Sequence, residues 1–190
     1  MCSSDLFEKP VIVVIQHPVL LEVENARAQM VETLEAVKSL AAQTVVIFPN
    51  NDAGGRRIID VIHEYESLPF LRTSRNLDRT VLVNLLRNAS LLLGNSSAGV
   101  LEGPFLKLPA INVGSRQHGR MQSTNVINVG HDREQILQAC KKALHDPEFR
   151  RAVDACVNPY GDGKSSQRIV KIFEELSVSK EKLLDKHLTY

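Results

Sequence analysis

The sequence predicts an α/β fold, in the form of a Rossmann-like parallel sheet with helices on both faces. Short apolar, β-branched runs alternate with amphipathic stretches along most of the 190 residues. The first run, Val11 to Ile15, contains no polar residue, which is typical of a strand buried on both faces. Glycine-rich or polar segments follow several runs, at the strand ends where the ligand-binding loops of a parallel sheet lie.

The elements follow in order from these patterns. The predicted strands are 11–15, 44–48, 70–71, 90–93, 110–113 and 126–129. Apolar residues spaced three or four apart predict helices over 23–41, 58–65, 82–89, 99–106, 136–144, from Pro147, and over 163–176. Three aspartates precede helical stripes and are predicted N-caps: Asp132, Asp146 and Asp162.

Composition excludes several classes of protein. The chain has 23 basic and 22 acidic residues, a net charge of +1, which gives no electrostatic case for a nucleic-acid partner. No apolar run approaches the length of a membrane span. Cysteines at 2, 140 and 156 form no CxxC pair, so we expect neither a disulfide framework nor a metal site, and a cytoplasmic location. No cofactor is predicted.

The two ends differ from the centre of the chain. Residues 1–6 lack the features of a signal peptide and resemble a translated sequencing adapter, so we expect the natural reading frame to begin further upstream. The alternative is an ordinary disordered terminus. The expected organisation is a non-native or disordered leader over 1–8, one Rossmann-like domain over 9–177, and a polar tail over 178–190.

Polar residues after the first two strands are candidate site residues. His17 follows the first strand and is suited to bind a phosphate or to transfer a proton, although a capped, structural histidine is more common at such a position. The segment 50–55 follows the second strand. Its Asn, Asp and Gly residues predict a tight turn in which Asp52 caps the next helix.

The segment Gly94 to Gly99 is the most informative local feature. Its small residues allow the backbone to approach a ligand, and Ser96 and Ser97 open a helix, which favours an anion pocket over simple N-capping. Glu102 lies one and a half turns further on, where a carboxylate can accept hydrogen bonds from ribose hydroxyls. The segment is neither a Walker A loop nor GxGxxG.

The loop over 114–120 is basic and bounded by glycines. Arg116, His118 and Arg120 are suited to clamp a diphosphate, the alternative being a solvated surface loop. Cys140 lies on an apolar stripe and is a predicted core residue. The remaining histidines are predicted at the surface or at caps: His63, His131, His145 and His187.

Together these segments resemble one family. The strings QHPV (16–19), FPNNDAGG (48–55), LLLGNSSAGVLEGPFLKLPAINVGSRQHGR (91–120), NVINV (125–129) and NPYGDGKSSQRIVKIFEEL (158–176) are similar to the C-terminal half of UDP-N-acetylglucosamine 2-epimerases. The resemblance covers residues 9–176 and is greater to the hydrolysing branch, which releases N-acetylmannosamine and UDP for sialic-acid-type sugars.

The resemblance implies one half of a two-domain GT-B-like fold that holds the UDP of a UDP-N-acetylglucosamine substrate. It implies that Ser96 and Ser97 contact the diphosphate and that Glu102 binds the ribose. It also implies that His17 acts near the phosphates and sugar, while Asn50 and Arg116 line the cleft. The family tends to associate, so a homo-oligomer of the full-length protein is expected.

The same resemblance implies that the other half supplies the acid and base of the reaction, so this chain is expected to be inactive alone. In GT-B-like folds the C-terminal helix often crosses to the first domain, so the helix over 163–176 is expected to lack its usual partner. The alternatives are the donor-binding half of a GT-B glycosyltransferase and a free-standing nucleotide-binding module.

Overall fold

Six parallel strands and eight helices are present in the computed structural model, which describes residues 10–176. The strands are β1 (Val11–Ile15), β2 (Gln43–Ile47), β3 (Leu71–Ser74), β4 (Leu91–Gly94), β5 (Ala110–Val113) and β6 (Val126–Val129). The helices are α1 (Ala26–Leu40), α2 (Gly55–Tyr65), α3 (Arg79–Asn88), α4 (Ala98–Leu101), α5 (Gly103–Leu106), α6 (Arg133–His145), α7 (Pro147–Asp154) and α8 (Ser165–Glu175). The expected leader over 1–8 and the tail over 178–190 lie outside the described residues.

The strand order β3-β2-β1-β4-β5-β6 confirms the predicted α/β class. The chain builds outward from β1 to β3 and then returns to pair β4 with β1 on its other side. This order creates a topological switch point between β1 and β4, where loops diverge and ligands bind in such sheets. None of the helices within residues 10–176 is long and apolar enough to cross a membrane.

The core lies on both faces of the sheet. Alternate residues of β1 belong to different clusters: Ile12 and Val14 pack with α1, α2 and α6, whereas Val13 and Ile15 pack with α3. All five residues of β1 are buried, as its uninterrupted apolar sequence predicted. Cys140 is also buried in this core, as predicted, and burial raises the pKa of its thiol to about 12.

The chain divides at Pro159 into two units, and the second begins with Tyr160. Helix α8 belongs to the second unit. Within that unit Asp162 accepts hydrogen bonds from the backbone N–H of Lys164 at 3.1 Å and from the Arg168 guanidinium at 2.7 Å. Asp162 is therefore not the N-cap of α8, and the prediction that it caps this helix was wrong. Lys164 occupies the N-cap position without a side-chain bond, because glycines at 161 and 163 with positive φ place a turn before the helix.

The other two predicted caps are confirmed. Asp132 accepts from the backbone N–H of Gln135 at 2.9 Å, and Asp146 accepts from that of Glu148 at 2.8 Å.

Two helical features differ from expectation. A 3-10 turn, Leu20–Asn25, precedes α1, and the single helix predicted over 99–106 is split into α4 and α5.

Gly94 controls the approach of β4 to β1. Its φ of +124° lies in a region that side chains disfavour, and a Cβ built there would lie 2.2 Å from the carbonyl oxygen of Ile15. We expect Gly94→Ala to reduce the free energy of unfolding by about 3 kcal/mol or to prevent folding. Urea denaturation measures this.

Gly119→Ala is the matched control for Gly94→Ala. Gly119 also has positive φ (+76°), but a Cβ added to it would meet no other atom within 4 Å. Only the left-handed backbone cost of about 1 kcal/mol applies there. Equal losses in the two variants would contradict the close-approach explanation.

Candidate functional site

Asn95 organises the ends of three strands at the switch point. Its side-chain oxygen accepts from the backbone N–H of His17 at 2.7 Å, and its amide nitrogen donates to the His17 carbonyl at 2.8 Å. Its own carbonyl accepts from Arg116 Nη1 at 3.2 Å and from Gln117 Nε2 at 2.8 Å. Asn95 is 1% exposed, so these bonds are shielded from water. We call this set of bonds the Asn95 clasp.

The clasp brings two predicted site residues together. His17 follows β1 and Arg116 follows β5, and these strands are separated in the sheet by β4. Both side chains are partly buried. Burial lowers the pKa of His17, the Arg116 charge lowers it further, and the carboxylate of Asp52 acts in the opposite direction. His17 is therefore neutral at pH 7, with a guanidinium close enough to influence it.

The hydrogen bond to His17 Nδ1 fixes its tautomer. The backbone N–H of Asn50 donates to Nδ1 at 3.1 Å, so Nδ1 is an acceptor and the proton of the neutral ring is on Nε2. A ring in this state donates a hydrogen bond from Nε2. For Nε2 to accept a proton as a base, the ring proton would have to be on Nδ1. Two N–H groups, those of Nδ1 and of the Asn50 backbone, would then face each other.

Asn50 contributes to this site through its backbone. Its side-chain amide donates to Asp52 at 2.6 Å, and the residue is exposed. The predicted turn is present, since the Gly55 N–H donates to the Asp52 carbonyl at 2.9 Å. The predicted cap is not, because Gly54 and not Asp52 occupies the N-cap position of α2. The predicted role of the Asn50 side chain as a cleft residue stays a prediction.

Ser96, Ser97 and Glu102 lie on the segment that follows β4. Ser97 occupies the N-cap position of α4 but makes no side-chain capping bond, whereas Ser96 Oγ accepts a 3.3 Å bond from the backbone N–H of Ala98. Both serines and Glu102 are partly exposed. Glu102 lies at the break between α4 and α5.

The break changes the electrostatics expected of this segment. Helix α4 has only four residues, so the helix dipole predicted to support the anion pocket is smaller than that of a continuous helix. Asn158 Nδ2 donates to the carbonyl of Leu101 at 2.8 Å beside the break.

Sequence patterns did not identify a second polar cluster. His131 was predicted at the surface, yet its side chain is 21% exposed, and its ring nitrogens are buried without a hydrogen-bond partner in the described part of the chain. Its Nε2 lies 3.8 Å from a carboxylate oxygen of Glu22. Burial lowers the pKa of His131 more than Glu22 raises it. In the sequence, His131 lies between Gly130 and the N-cap residue Asp132, and this position gave no indication that its side chain is buried. Across residues 10–176 no group of three or more His, Cys, Asp or Glu side chains is arranged to hold a metal ion.

Stability is expected to fall in mildly acidic solution. His17 and His131 both have a folded-state pKa below the ordinary value of 6.5, so the unfolded chain binds protons more readily than the native one. The contribution of the two neutral histidines to the free energy of unfolding is complete above pH 6.5. It is lost as the pH falls below 6.5 and through the folded-state pKa values. Urea unfolding between pH 7.5 and 5.5 measures this slope. His131→Gln removes part of the slope, and a stability that rises on acidification would contradict the assignment.

Comparison with known proteins agrees with the fold and with the order of the motifs. The family model for UDP-N-acetylglucosamine 2-epimerase matches residues 2–174. The UDP-N,N'-diacetylbacillosamine 2-epimerase (hydrolyzing) of Legionella pneumophila is 35% identical over 169 residues, 89% of this chain and 44% of the relative. The polysialic acid biosynthesis protein P7 of Escherichia coli is 29% identical over 180 residues, which are 92% of this chain and 45% of the relative.

A solved structure gives the same result for the fold. The UDP-GlcNAc 2-epimerase of Neisseria meningitidis, bound to UDP-GlcNAc, superimposes with a TM-score of 0.72 at 20% identity, covering 89% of this chain and 46% of that chain. The chain thus spans less than half the length of the relatives it matches. The resemblance drawn from the motifs is confirmed: the chain belongs to the UDP-N-acetylglucosamine 2-epimerase family.

Proposed function

We propose that this chain is the UDP-binding part of a hydrolysing UDP-N-acetylglucosamine 2-epimerase. The observation that carries the proposal is the Asn95 clasp, which gathers His17 and Arg116 beside the Ser96–Ser97 segment at the switch point of the sheet. Hydroxyls, a neutral imidazole donor and a guanidinium are the groups that bind a diphosphate.

Each residue has a role in this proposal. Ser96 and Ser97 donate hydroxyl hydrogen bonds to the diphosphate, and Arg116 neutralises its charge. His17 donates from Nε2 to a diphosphate oxygen. Glu102 accepts from the ribose hydroxyls, as acidic residues do in other nucleotide-binding sheets. The Asn50 side chain lines the cleft.

The chemistry assigned to the chain is stabilisation of the leaving group. In the reaction implied by family membership, a base removes the proton on C2 of the sugar while the bond between C1 and the UDP oxygen breaks, and water then adds to the resulting glycal-like intermediate. Negative charge develops on the departing diphosphate, where Arg116 and the Nε2–H of His17 stabilise it. The acid and base of that reaction are not assigned to this chain, so we propose that it binds UDP without converting a UDP-sugar.

Two relatives bear on the substrate. The Legionella pneumophila relative is named for a diacetylbacillosamine nucleotide, and the Escherichia coli relative is named for polysialic acid biosynthesis. The first name supports a UDP-linked N-acetylated amino sugar as substrate, and the second supports a role in sialic-acid-type sugar synthesis. A cytoplasmic location and a homo-oligomeric full-length enzyme stay predictions.

Calorimetric titration with UDP tests the site. We expect saturable binding that Glu102→Ala weakens roughly 10- to 100-fold, because hydrogen bonds to a charged group contribute about 1.5–3 kcal/mol. If Glu102 binds the ribose, 2′-deoxy-UDP loses affinity for the wild-type chain and loses less for Glu102→Ala.

Glu134→Ala, which changes an exposed acidic residue on α6, is the charge-matched control and should bind UDP as the wild type does. Equal affinity of Glu102→Ala and wild type would contradict the site assignment. Release of N-acetylmannosamine from UDP-N-acetylglucosamine by the 190-residue chain would contradict the assignment of binding without turnover.

A further inference from the structure

Glu22 joins the segment after β1 to the loop after β5. One carboxylate oxygen accepts from Ser115 Oγ at 2.6 Å, and the other accepts from Gln29 Nε2 at 2.6 Å. We propose that Glu22 is a positioning residue that holds the Arg116 loop (residues 114–120) in place for the diphosphate. This inference rests on the proposed function.

The carboxylate is itself firmly held. Gln29 lies on α1 and is 8% exposed, so the helix fixes one side of Glu22. The Ser115 hydroxyl and then the Gln29 amide are the main causes that lower the pKa of Glu22, and both bonds favour the charged form. Two short charge-assisted hydrogen bonds thus connect the α1 segment to the loop.

The bond to Ser115 gives the Arg116 loop a tether that does not depend on Asn95. Arg116 and Gln117 both donate to the Asn95 carbonyl, whereas Ser115 donates to Glu22. Three consecutive residues are therefore fixed at two separate points. A guanidinium between two fixed points loses less conformational entropy when an anion binds.

Glu22 positions Arg116 without neutralising it. Within residues 10–176 no ion pair joins these two side chains, and the two carboxylate oxygens of Glu22 are occupied by Ser115 and Gln29. The positive charge of Arg116 thus remains available to a phosphate. A carboxylate paired directly with the arginine would compete with the ligand.

The loop has space to move if this tether is lost. An open surface depression of about 430 Å³ adjoins Glu22, Ser115, His118 and His131. Gly114, at the start of the loop, lies so close to the His131 ring that a Cβ there would be 2.2 Å from Nε2. Glu22 and His131 therefore border the start of the loop, and of these two only Glu22 makes a hydrogen bond to it.

A double-mutant cycle in UDP binding tests the proposal. Glu22→Ala is expected to weaken UDP binding roughly three- to thirtyfold, which lies within the range of coupling between contacting groups. The same change in an Arg116→Ala background should have little further effect, because Glu22 acts through Arg116. Ser115→Ala, a milder change, should reproduce the result. Additive losses, or no loss in Glu22→Ala, would overturn the proposal.

Glu24→Ala is the matched control. Glu24 lies two residues further along the same 3-10 turn, is exposed, and pairs with Arg57 instead of the loop. Its replacement removes the same charge without removing the tether, so UDP binding should be unchanged. A loss equal to that of Glu22→Ala would attribute the effect to charge and overturn the positioning role.

Limited trypsin digestion of the unliganded chain supplies a readout independent of UDP. Cleavage after Arg116 should be faster in Glu22→Ala and Ser115→Ala than in wild type, and unchanged in Glu24→Ala. Unchanged cleavage in the first two variants would overturn the tether. Failure of the wild-type chain to bind UDP, with faster cleavage in these variants, would instead count against the proposed function.

Discussion

The two hydrogen bonds between the Asn95 side chain and the His17 backbone are the interaction on which the candidate site depends. They extend the pairing of β1 and β4 beyond the last backbone pair, with a side-chain amide in place of backbone groups. The close approach is possible only because Gly94, with positive φ, lets the backbone lie against the carbonyl of Ile15. An aspartate at 95 would place an acceptor against the carbonyl of His17 and lose half of the arrangement.

The rest of the site follows from this constraint. Because His17 is held in place, the Asn50 N–H can bind its Nδ1 and select its tautomer. Because the Asn95 carbonyl is held in place, it binds the Arg116 guanidinium next to the end of β4. Glu22 adds a second restraint on the same loop from the segment before α1. In the proposed function, a site whose donors are already held in place lowers the entropic cost of binding the diphosphate and directs those donors at the leaving group.

Sequence patterns predicted most of the fold because the strands are short, apolar and separated by turn residues. All six strands lie within a few residues of their predicted positions, and β3 extends further than expected because Arg72 to Ser74 pair with β2 despite their polarity. Periodicity alone did not predict the break at Glu102, which lies just before Pro104, a residue without the N–H that would continue the helix. It also did not predict the role of the glycines before α8, which depends on their backbone dihedral angles.

The candidate site was predictable in part for a physical reason. Residues that follow strands meet at one edge of a parallel sheet, so His17, Ser96 and Arg116 could be grouped without a structure. Asn95 also follows a strand, but its hydrogen bonds to the His17 backbone could not be predicted. Glu22 and His131 could not be grouped with the site, because their contacts join segments distant in sequence. For Asn50 the position after a strand predicted its place beside His17. The atom involved was not predicted, because the bond to His17 comes from the Asn50 backbone and not from its side chain.

Amide chemical-shift mapping by NMR during UDP titration tests the central claim most directly. We expect the largest changes at the amides of 94–101 after β4, with further changes at His17 and Arg116, which the Asn95 clasp connects. Changes concentrated at the opposite end of the sheet, near Pro10, Gln43 and His145, would contradict it, as would saturable binding that leaves the segment after β4 unperturbed.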